Sequence, residues 1–197
     1  MKRDVAILVF EDAEVLDFAG PFEVFSVASE LHDHALFDVR IVAATGAPVR
    51  AVNGFMVVPN ATFAGMRQPD ILVIAGGAGT RRVMSDPELI AWAGNAAASA
   101  EIILSVCSGA RILAALGLLD DLEVTTHHQM FDHIAELAPR AHLRPGARFV
   151  DTGKIITTGG ISAGIDGAFH VVSRLHGTGL AAATARYMEY EHRAETG

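Results

Sequence analysis

Residues 102–116 read Ile-Ile-Leu-Ser-Val-Cys-Ser-Gly-Ala-Arg-Ile-Leu-Ala-Ala-Leu, and the rest of the chain is best interpreted outward from this segment. Its first five residues are almost continuously apolar and rich in β-branched side chains, which is typical of a strand buried on both faces of a parallel sheet. Cys107, Ser108 and Gly109 follow directly, and a helical pattern begins after them. A strand, a nucleophilic side chain, a small residue and glycine before a helix is the arrangement of a nucleophile elbow.

Cys107, the one cysteine of the chain, is therefore the first candidate for catalysis. A helix N-terminus presents unpaired N–H groups and about half a positive charge, which lowers the pKa of a nearby thiol. We expect Cys107 to have a lowered pKa and to lie in a cleft. The alternative is a buried structural thiol, because free cysteine is among the most buried residue types. The position between strand and helix favours the nucleophile.

Other segments repeat the strand composition of residues 102–106. They are Val5–Phe10, Phe37–Ala43 and Ile71–Ala75. Segments with helical periodicity separate them, so we predict one α/β domain over residues 1–197, a three-layer sandwich with a mostly parallel sheet. In such folds, ligands bind beyond the carboxyl ends of the strands. Asn53 and Gly54, between two strand-like runs, predict a hairpin beside the main sheet.

Local signals place several helices between and after the strands. Pro21 suits the first turn of a helix. The Asp-Pro pair at residues 86–87 predicts an N-capped helix that continues to about Ala98, and a last helix is predicted over residues 180–191. The clearest apolar stripe at helical spacing comprises Ile165, Ala168, Phe169, Val172 and Leu175.

A run of small residues follows the strand at Ile71–Ala75. Gly76, Gly77 and Ala78 lie where backbone N–H groups can point into a cleft and stabilise an oxyanion. The alternative is a plain tight turn. A dinucleotide-binding fingerprint is excluded, because Arg82 occupies the position of its last glycine.

Asp17 follows the first strand and lies among apolar neighbours. Removal from water raises the pKa of a carboxyl group and lets it carry a proton at neutral pH. The alternative is structural, with Asp17 as the N-cap of a helix that contains Pro21. The residues alone do not separate a proton carrier from a cap.

Histidines are numerous, nine in all, but they carry little information. His127 and His128 follow the strand-like residues 124–126, so we expect one of them to reach the same cleft. No spacing of histidine, cysteine and carboxylate residues matches a zinc site, so no metal is expected.

Charge and hydropathy exclude several classes of partner. Fifteen basic and 23 acidic residues give a net charge of −8, so the chain lacks the positive surface of a nucleic-acid-binding protein. No apolar run approaches the ~18 residues of a membrane span, and Val5–Phe10 is too short for the core of a signal peptide. We expect a cytoplasmic protein that binds neither nucleic acid nor membrane. Charged residues make up only 19% of the chain and apolar residues exceed their usual share, and this apolar excess indicates a doubly covered sheet and an oligomer interface.

Five motifs, in order along the chain, resemble those of the ThiJ/PfpI superfamily, whose members have the flavodoxin-like fold of class I glutamine amidotransferases. They are Asp17–Pro21, Ala75–Gly77, Val106–Ala110, Thr125–His127 and Thr158–Asp166. The resemblance covers essentially the whole chain and implies that fold for residues 1–197.

Departures from the superfamily's patterns separate its branches. Glutamine amidotransferases carry Glu two residues after their histidine, whereas Gln129 stands two residues after His127. The protease-like branch has His directly after the cysteine, where this chain has Ser108. The Asp at position 17, the Ser after the cysteine and the run Gly-Gly-x-x-Ala-Gly-Ile-Asp at 159–166 resemble isocyanide hydratases. They equally resemble the amidase-like sensor domains of AraC-type transcription regulators.

The resemblance to isocyanide hydratases implies a mechanism. The Cys107 thiolate attacks the terminal carbon of an isocyanide, Asp17 helps to protonate that carbon, and water then releases an N-substituted formamide. The amides of Gly77 and Ser108 hold the charged intermediate, and the Ser108 hydroxyl hydrogen-bonds the sulfur or the water. Thiol, carboxyl and water suffice, so no cofactor is expected. The other residues expected near the small-molecule substrate are Gly76, Ala78, His127, Gly160 and Ile161.

Two other functions remain open from the residues. In one, the same cleft senses a small metabolite without catalysis. In the other, Cys107 responds to oxidants or electrophiles. Turnover of an isocyanide to a formamide separates the enzyme from both. A homodimer is also expected, from the apolar content and because members of the superfamily usually pair through isologous contacts.

Overall fold

The computed structural model describes residues 1–191 of the chain. The strands in this part are β1 (Arg3–Leu8), β2 (Phe37–Ala43), β3 (Val49–Arg50), β4 (Met56–Val57), β5 (Ala61–Thr62), β6 (Ile71–Ile74), β7 (Ile102–Ser105), β8 (Glu123–Val124), β9 (His142–Leu143), β10 (Phe149–Asp151) and β11 (Ile155–Thr158). The α-helices are α1 (Val15–Glu30), α2 (Thr80–Ser85), α3 (Pro87–Ser99), α4 (Ala110–Ala115), α5 (Phe131–Leu137), α6 (Ala163–His176) and α7 (Thr178–Tyr187).

Seven strands form the central sheet, in the order β10-β11-β7-β6-β1-β2-β5. Neighbouring strands are parallel except β10 and β11. Ile71 of β6 lies opposite both Val5 of β1 and Ile102 of β7, and these central strands are buried almost throughout. This sheet confirms the three-layer α/β sandwich predicted from the apolar runs. The runs were informative because strands covered on both faces consist mainly of apolar residues.

Helices pack in two groups around the sheet. Helices α1, α6 and α7 contact one another, while α2 contacts α3 and α4, and α4 contacts α5. The stripe predicted from Ile165 to Leu175 lies on α6 and is confirmed. The last helix ends at Tyr187 rather than at Glu191. Helix α3 begins at Pro87 as predicted, and Oδ1 of Asp86 accepts hydrogen bonds from the first N–H groups of the helix.

The prediction that Pro21 lies in the first turn of its helix is wrong. Helix α1 begins at Val15, so Pro21 is an interior residue. Proline has no N–H for the carbonyl of Asp17, and its ring normally clashes with the residue before it. That residue is Gly20, which has no Cβ, and the helix therefore continues through the proline.

Strands β3 and β4 pair antiparallel in a small sheet of their own, which confirms the predicted hairpin. Asn53 lies between them with a φ of 58°, in the left-handed region that asparagine tolerates. Within residues 1–191, no helix is long and apolar enough to cross a membrane.

Candidate active site

Cys107 lies on a strained turn between β7 and α4. Its φ is 58°, which a residue with a Cβ rarely adopts, and the turn leads into one 3₁₀ turn and then α4. Gly109 is required here, because a Cβ at this position would lie 2.4 Å from the carbonyl oxygen of Ile74 in β6. The strand-turn-helix arrangement predicted for an elbow is therefore present.

Asp17 lies directly behind this turn, in a fully buried position. Its Oδ2 accepts a hydrogen bond from the N–H of Gly76 at 2.8 Å, and its Oδ1 has no partner among the described protein atoms. Asp17 is the third residue of α1, and Glu14 is the N-cap, so the interpretation of Asp17 as a cap is wrong.

Burial changes the acidity of this carboxyl group. The pKa of Asp17 is raised from 3.8 to about 7, mainly by loss of water and to a smaller extent by the charge of Glu14. Hydrogen bonds from the Gly76 amide and the Cys107 thiol oppose the increase. Asp17 can therefore hold or release a proton near neutral pH.

The pKa of Cys107 is raised to about 12, so the prediction of a lowered value is wrong. Burial is the main cause, and the negative charge of Asp17 adds to it. The backbone N–H groups of Ser108 and Ile161 hydrogen-bond the sulfur and act in the opposite direction. These two amides do not outweigh burial beside a carboxylate, and the resting side chain is a neutral thiol.

The glycine run after β6 is hydrogen-bonded to Asp17 and to the loop after β7. The Gly76 amide binds Asp17, and the Gly77 amide donates to Oγ of Ser108 at 2.8 Å. The Ser108 hydroxyl in turn donates to the Gly77 carbonyl at 3.2 Å. The Gly77 amide is thus already occupied, contrary to the expected oxyanion contact, and the Ser108 hydroxyl bonds to the loop rather than to the sulfur.

A second loop, after β11, also contacts the sulfur. Ile161 has a φ of 49° and directs its N–H at Cys107. Gly160 lies against the ring of His127, and a Cβ at Gly160 would be 2.3 Å from the Cδ2 atom of His127. Burial, followed by the neighbouring His128, lowers the pKa of His127, so this imidazole is neutral at pH 7.

A cavity of about 460 Å³ opens over the sulfur. It is lined by Glu14, Gly77, Ala78, Arg81, Cys107, Ser108, Arg111, His127, Gln129, Met130 and Ile161. Most of the residues singled out from the sequence therefore meet here. Asp17 and Gly76 stand behind the wall, and Gly160 faces a separate pocket beside His128.

Known protein families and solved structures include relatives of this chain. The model of the DJ-1/PfpI family matches residues 3–174. The chain belongs to the DJ-1/PfpI family. It is 30% identical over 190 residues to isonitrile hydratase of Pseudomonas putida, which covers 96% of this chain and 79% of that protein. A crystal structure of a ThiJ/PfpI family protein from Pseudomonas syringae superimposes with a TM-score of 0.86 at 31% identity, covering 100% of this chain and 78% of the other.

Another relative of this DJ-1/PfpI family member is a transcription regulator. The chain is 24% identical to the HTH-type transcriptional regulator GbdR of Pseudomonas aeruginosa, over 96% of its own length and 51% of the regulator. It thus spans about half of that protein. The resemblance predicted from the five motifs is confirmed at the level of the family, and both branches named from the sequence have relatives of this chain.

Several residues of this DJ-1/PfpI site were missed in the sequence. Glu14, Arg81, Arg111, Gln129 and Met130 line the cavity but belong to no motif. Arg111 had a usable signal, because it lies in the first turn of the helix that directly follows the nucleophile. Among the described residues, no group of three or more His, Cys, Asp or Glu side chains could hold a metal ion.

Proposed function

We propose that this chain hydrates an isocyanide to an N-substituted formamide, with Cys107 as nucleophile and Asp17 as proton carrier. The observation that carries the proposal is the position of the sulfur, between two backbone N–H groups and a buried carboxyl group whose pKa is about 7. Similarity to a protein named isonitrile hydratase supports this reaction class.

Formation of the nucleophile needs one proton transfer inside the pair. In the resting site, Cys107 carries the proton and Asp17 is ionised above pH 7. Transfer of this proton from sulfur to the carboxylate of Asp17 gives a thiolate beside the N–H groups of Ser108 and Ile161. The negative charge then lies where two amides stabilise it.

Attack and protonation form the covalent intermediate. The thiolate forms a carbon–sulfur bond with the terminal carbon of R–N≡C, and Asp17 gives its proton to that carbon. The product is a thioimidate, Cys–S–CH=N–R, with Asp17 ionised. A nucleophile that splits one difficult step into two easier ones is the usual advantage of covalent catalysis.

Water completes the cycle. Its hydroxyl adds to the thioimidate carbon, and its second proton goes to nitrogen. The carbon–sulfur bond then breaks, the hydroxyl proton returns to Asp17, and R–NH–CHO leaves. Thiol, carboxyl and water balance the reaction, and the neutral His127 ring forms part of the cavity wall.

A panel of isocyanides, methylglyoxal, amides and peptides tests this function in the wild type and Cys107→Ala. In D₂O, only the wild type is expected to form a formamide, and this product should carry deuterium at the formyl carbon. Proton NMR then shows the signals of the R group of the formamide without a formyl proton. Ser99→Ala, at the end of α3, removes a hydroxyl that bonds only within its helix and should keep full turnover. Isocyanide turnover that survives in Cys107→Ala, or its absence from the wild type, would exclude the proposal.

A ligand-sensing domain is the second candidate, and the similarity to regulator GbdR favours it. Under this alternative, an isocyanide or another small molecule binds the cavity and leaves unchanged. A redox role is less well supported, because the raised pKa of Cys107 keeps it in the thiol form that oxidants attack slowly.

The homodimer and the cytoplasmic location remain predictions. The hairpin exposes three large apolar side chains, Phe55, Met56 and Val58. Light scattering at micromolar concentration is expected to give the mass of two chains, and the mass of one chain would contradict the homodimer.

A further inference from the structure

One wall of the active-site cavity carries a buried cation without a counter-ion. Arg111 is 4% exposed and lines the cavity. Its Nε donates to Nδ1 of His133 at 3.1 Å, and its Nη1 donates to Oγ1 of Thr80 at 2.9 Å. Both acceptors are uncharged, and no carboxylate within residues 1–191 forms an ion pair with this guanidinium.

A second arginine strengthens the positive charge of this wall. Arg81, an exposed residue of α2, also lines the cavity, and its charge acts on both Arg111 and His133. Burial and the two arginines lower the pKa of His133, which stays neutral and accepts from Arg111. The acidic groups nearby are Glu14, on the cavity wall beside Asp17, and Glu136, near His133.

Even an arginine with a far more exposed side chain, Arg148, has a carboxylate partner. Arg148 forms an ion pair with the buried carboxylate of Asp166, so that pair carries no net charge. A guanidinium stays protonated in proteins, and a charge removed from water is costly unless an opposite charge meets it. Arg111 therefore leaves an uncompensated positive charge on the wall of the cavity, where a bound anion can meet it.

We propose that Arg111, together with Arg81, binds a carboxylate of the substrate, so that the substrate class is a small isocyanide bearing a carboxylate group. This inference rests on the proposed function. The planar guanidinium matches a carboxylate with two parallel hydrogen bonds. The isocyanide end of such a molecule reaches Cys107 while its carboxylate meets the arginine wall.

A matched pair of substrates tests the proposal. Isocyanoacetate and its methyl ester share the reacting carbon and differ in the negative charge. The wild type is expected to favour the anion in kcat/KM by about tenfold or more, as a charged hydrogen bond allows. Arg111→Met and Arg81→Gln should remove most of this preference. The ratio is decisive, because a merely structural role of Arg111 lowers both rates together.

Arg82→Gln is the control. It removes the same charge from the neighbouring residue, which pairs with Asp12 and lines a different cavity beyond β1 and β2. This variant should keep the anion preference. An ester used as well as the acid by the wild type, or a preference unchanged in both Arg81→Gln and Arg111→Met, overturns the proposal. Should Arg111→Met fail to fold, Arg81→Gln and the charge-retaining Arg111→Lys decide.

A binding measurement separates this inference from the proposed reaction. N-formylglycine, the product expected from isocyanoacetate, is titrated calorimetrically into Cys107→Ala beside its methyl ester. Tighter binding of the acid that is lost in Cys107→Ala/Arg81→Gln supports the carboxylate site even if no isocyanide is turned over. Turnover of isocyanides with equal binding of acid and ester rejects the carboxylate site and leaves the reaction standing.

Discussion

At the scale of single residues, Asp17 and Cys107 form an unequal pair, because the carboxylate hinders ionisation of the thiol while the hydrogen bond from the thiol favours ionisation of the carboxyl group. Burial raises the pKa of both, and the carboxylate charge raises that of the thiol. In the proposed cycle, the proton of the thiol passes to the carboxyl group and from there to the substrate carbon. The carboxyl group is therefore needed, even though its charge makes the resting thiol less acidic.

Asp17→Asn should therefore move two measurements in opposite directions. Loss of the negative charge lowers the pKa of Cys107, so iodoacetamide should alkylate the variant faster than the wild type at pH 8. Formamide production should fall by about 10²–10⁴-fold, because the proton carrier is missing. Alkylation is followed by mass spectrometry and turnover by NMR.

Asp121→Asn is the matched control, since Asp121 is an exposed residue whose side chain pairs with Arg140 on the surface. Both measurements should stay at the wild-type values. Slower alkylation in Asp17→Asn, or turnover equal to that of the wild type, would show that Asp17 has a structural role only.

At the scale of elements, the loops after β6 and β7 interlock without space for a side chain at Gly76. A Cβ there would lie 2.6 Å from the Ser108 nitrogen and 2.7 Å from Oδ2 of Asp17. Gly76→Ala should move both loops, lower turnover by more than about 100-fold as the proton carrier is misplaced, and destabilise the fold by about 1–3 kcal/mol.

Gly46 provides the comparison for this variant, because a Cβ at that position meets nothing within 4 Å. Gly46→Ala should leave turnover and the thermal midpoint close to the wild type. Full activity in Gly76→Ala would mean that the contact between the two loops does not position the site.

Helix α3 offers a prediction independent of the site. Asp86 caps it by accepting from the N–H groups of Glu88 and Leu89 at 2.9 and 3.2 Å. Asp86→Ala should cost about 1 kcal/mol of the free energy of unfolding, and Asp86→Asn should cost little, since both Asp and Asn are good caps. Urea unfolding measures the loss, and an equal loss in both variants would contradict capping.

At the scale of the whole molecule, Asp17 links folding to pH. Its pKa is about 7 in the folded chain and near 3.8 when unfolded, so the folded state binds more protons between these values. The contribution of Asp17 to stability is therefore complete below pH 4 and is lost as the pH rises to 7 and above.

The difference in unfolding free energy between wild type and Asp17→Asn measures this contribution, because titrating groups away from Asp17 contribute equally to both proteins. Relative to Asp17→Asn, the free energy of unfolding of the wild type should fall by about 3 kcal/mol from pH 5 to pH 8. A constant difference over that range would show that the carboxyl group is not held protonated by burial.

The fold could be predicted from the sequence more completely than the candidate site. The sequence predicted the strands from their apolar runs, the Asp-Pro cap at residues 86–87 and the apolar stripe on α6. Each of these features depends on neighbours along the chain or along one helix. The interior position of Pro21 was not predicted, since it follows from tolerance at Gly20 and from packing of the whole helix. Residues of the site were found where motifs marked them, whereas the arginine wall lay outside every motif.

The sequence by itself determined the parallel α/β sandwich, the family and the place of Cys107 at a strand end. Tertiary structure alone decided the acidity of the site and the partners of its amides. Asp17 and Gly76 are 59 residues apart, and Gly77 and Ser108 are 31 apart. Burial and charge act through space, so burial of the thiol, with the carboxylate of Asp17 beside it, reversed the pKa shift that the helix N-terminus predicted.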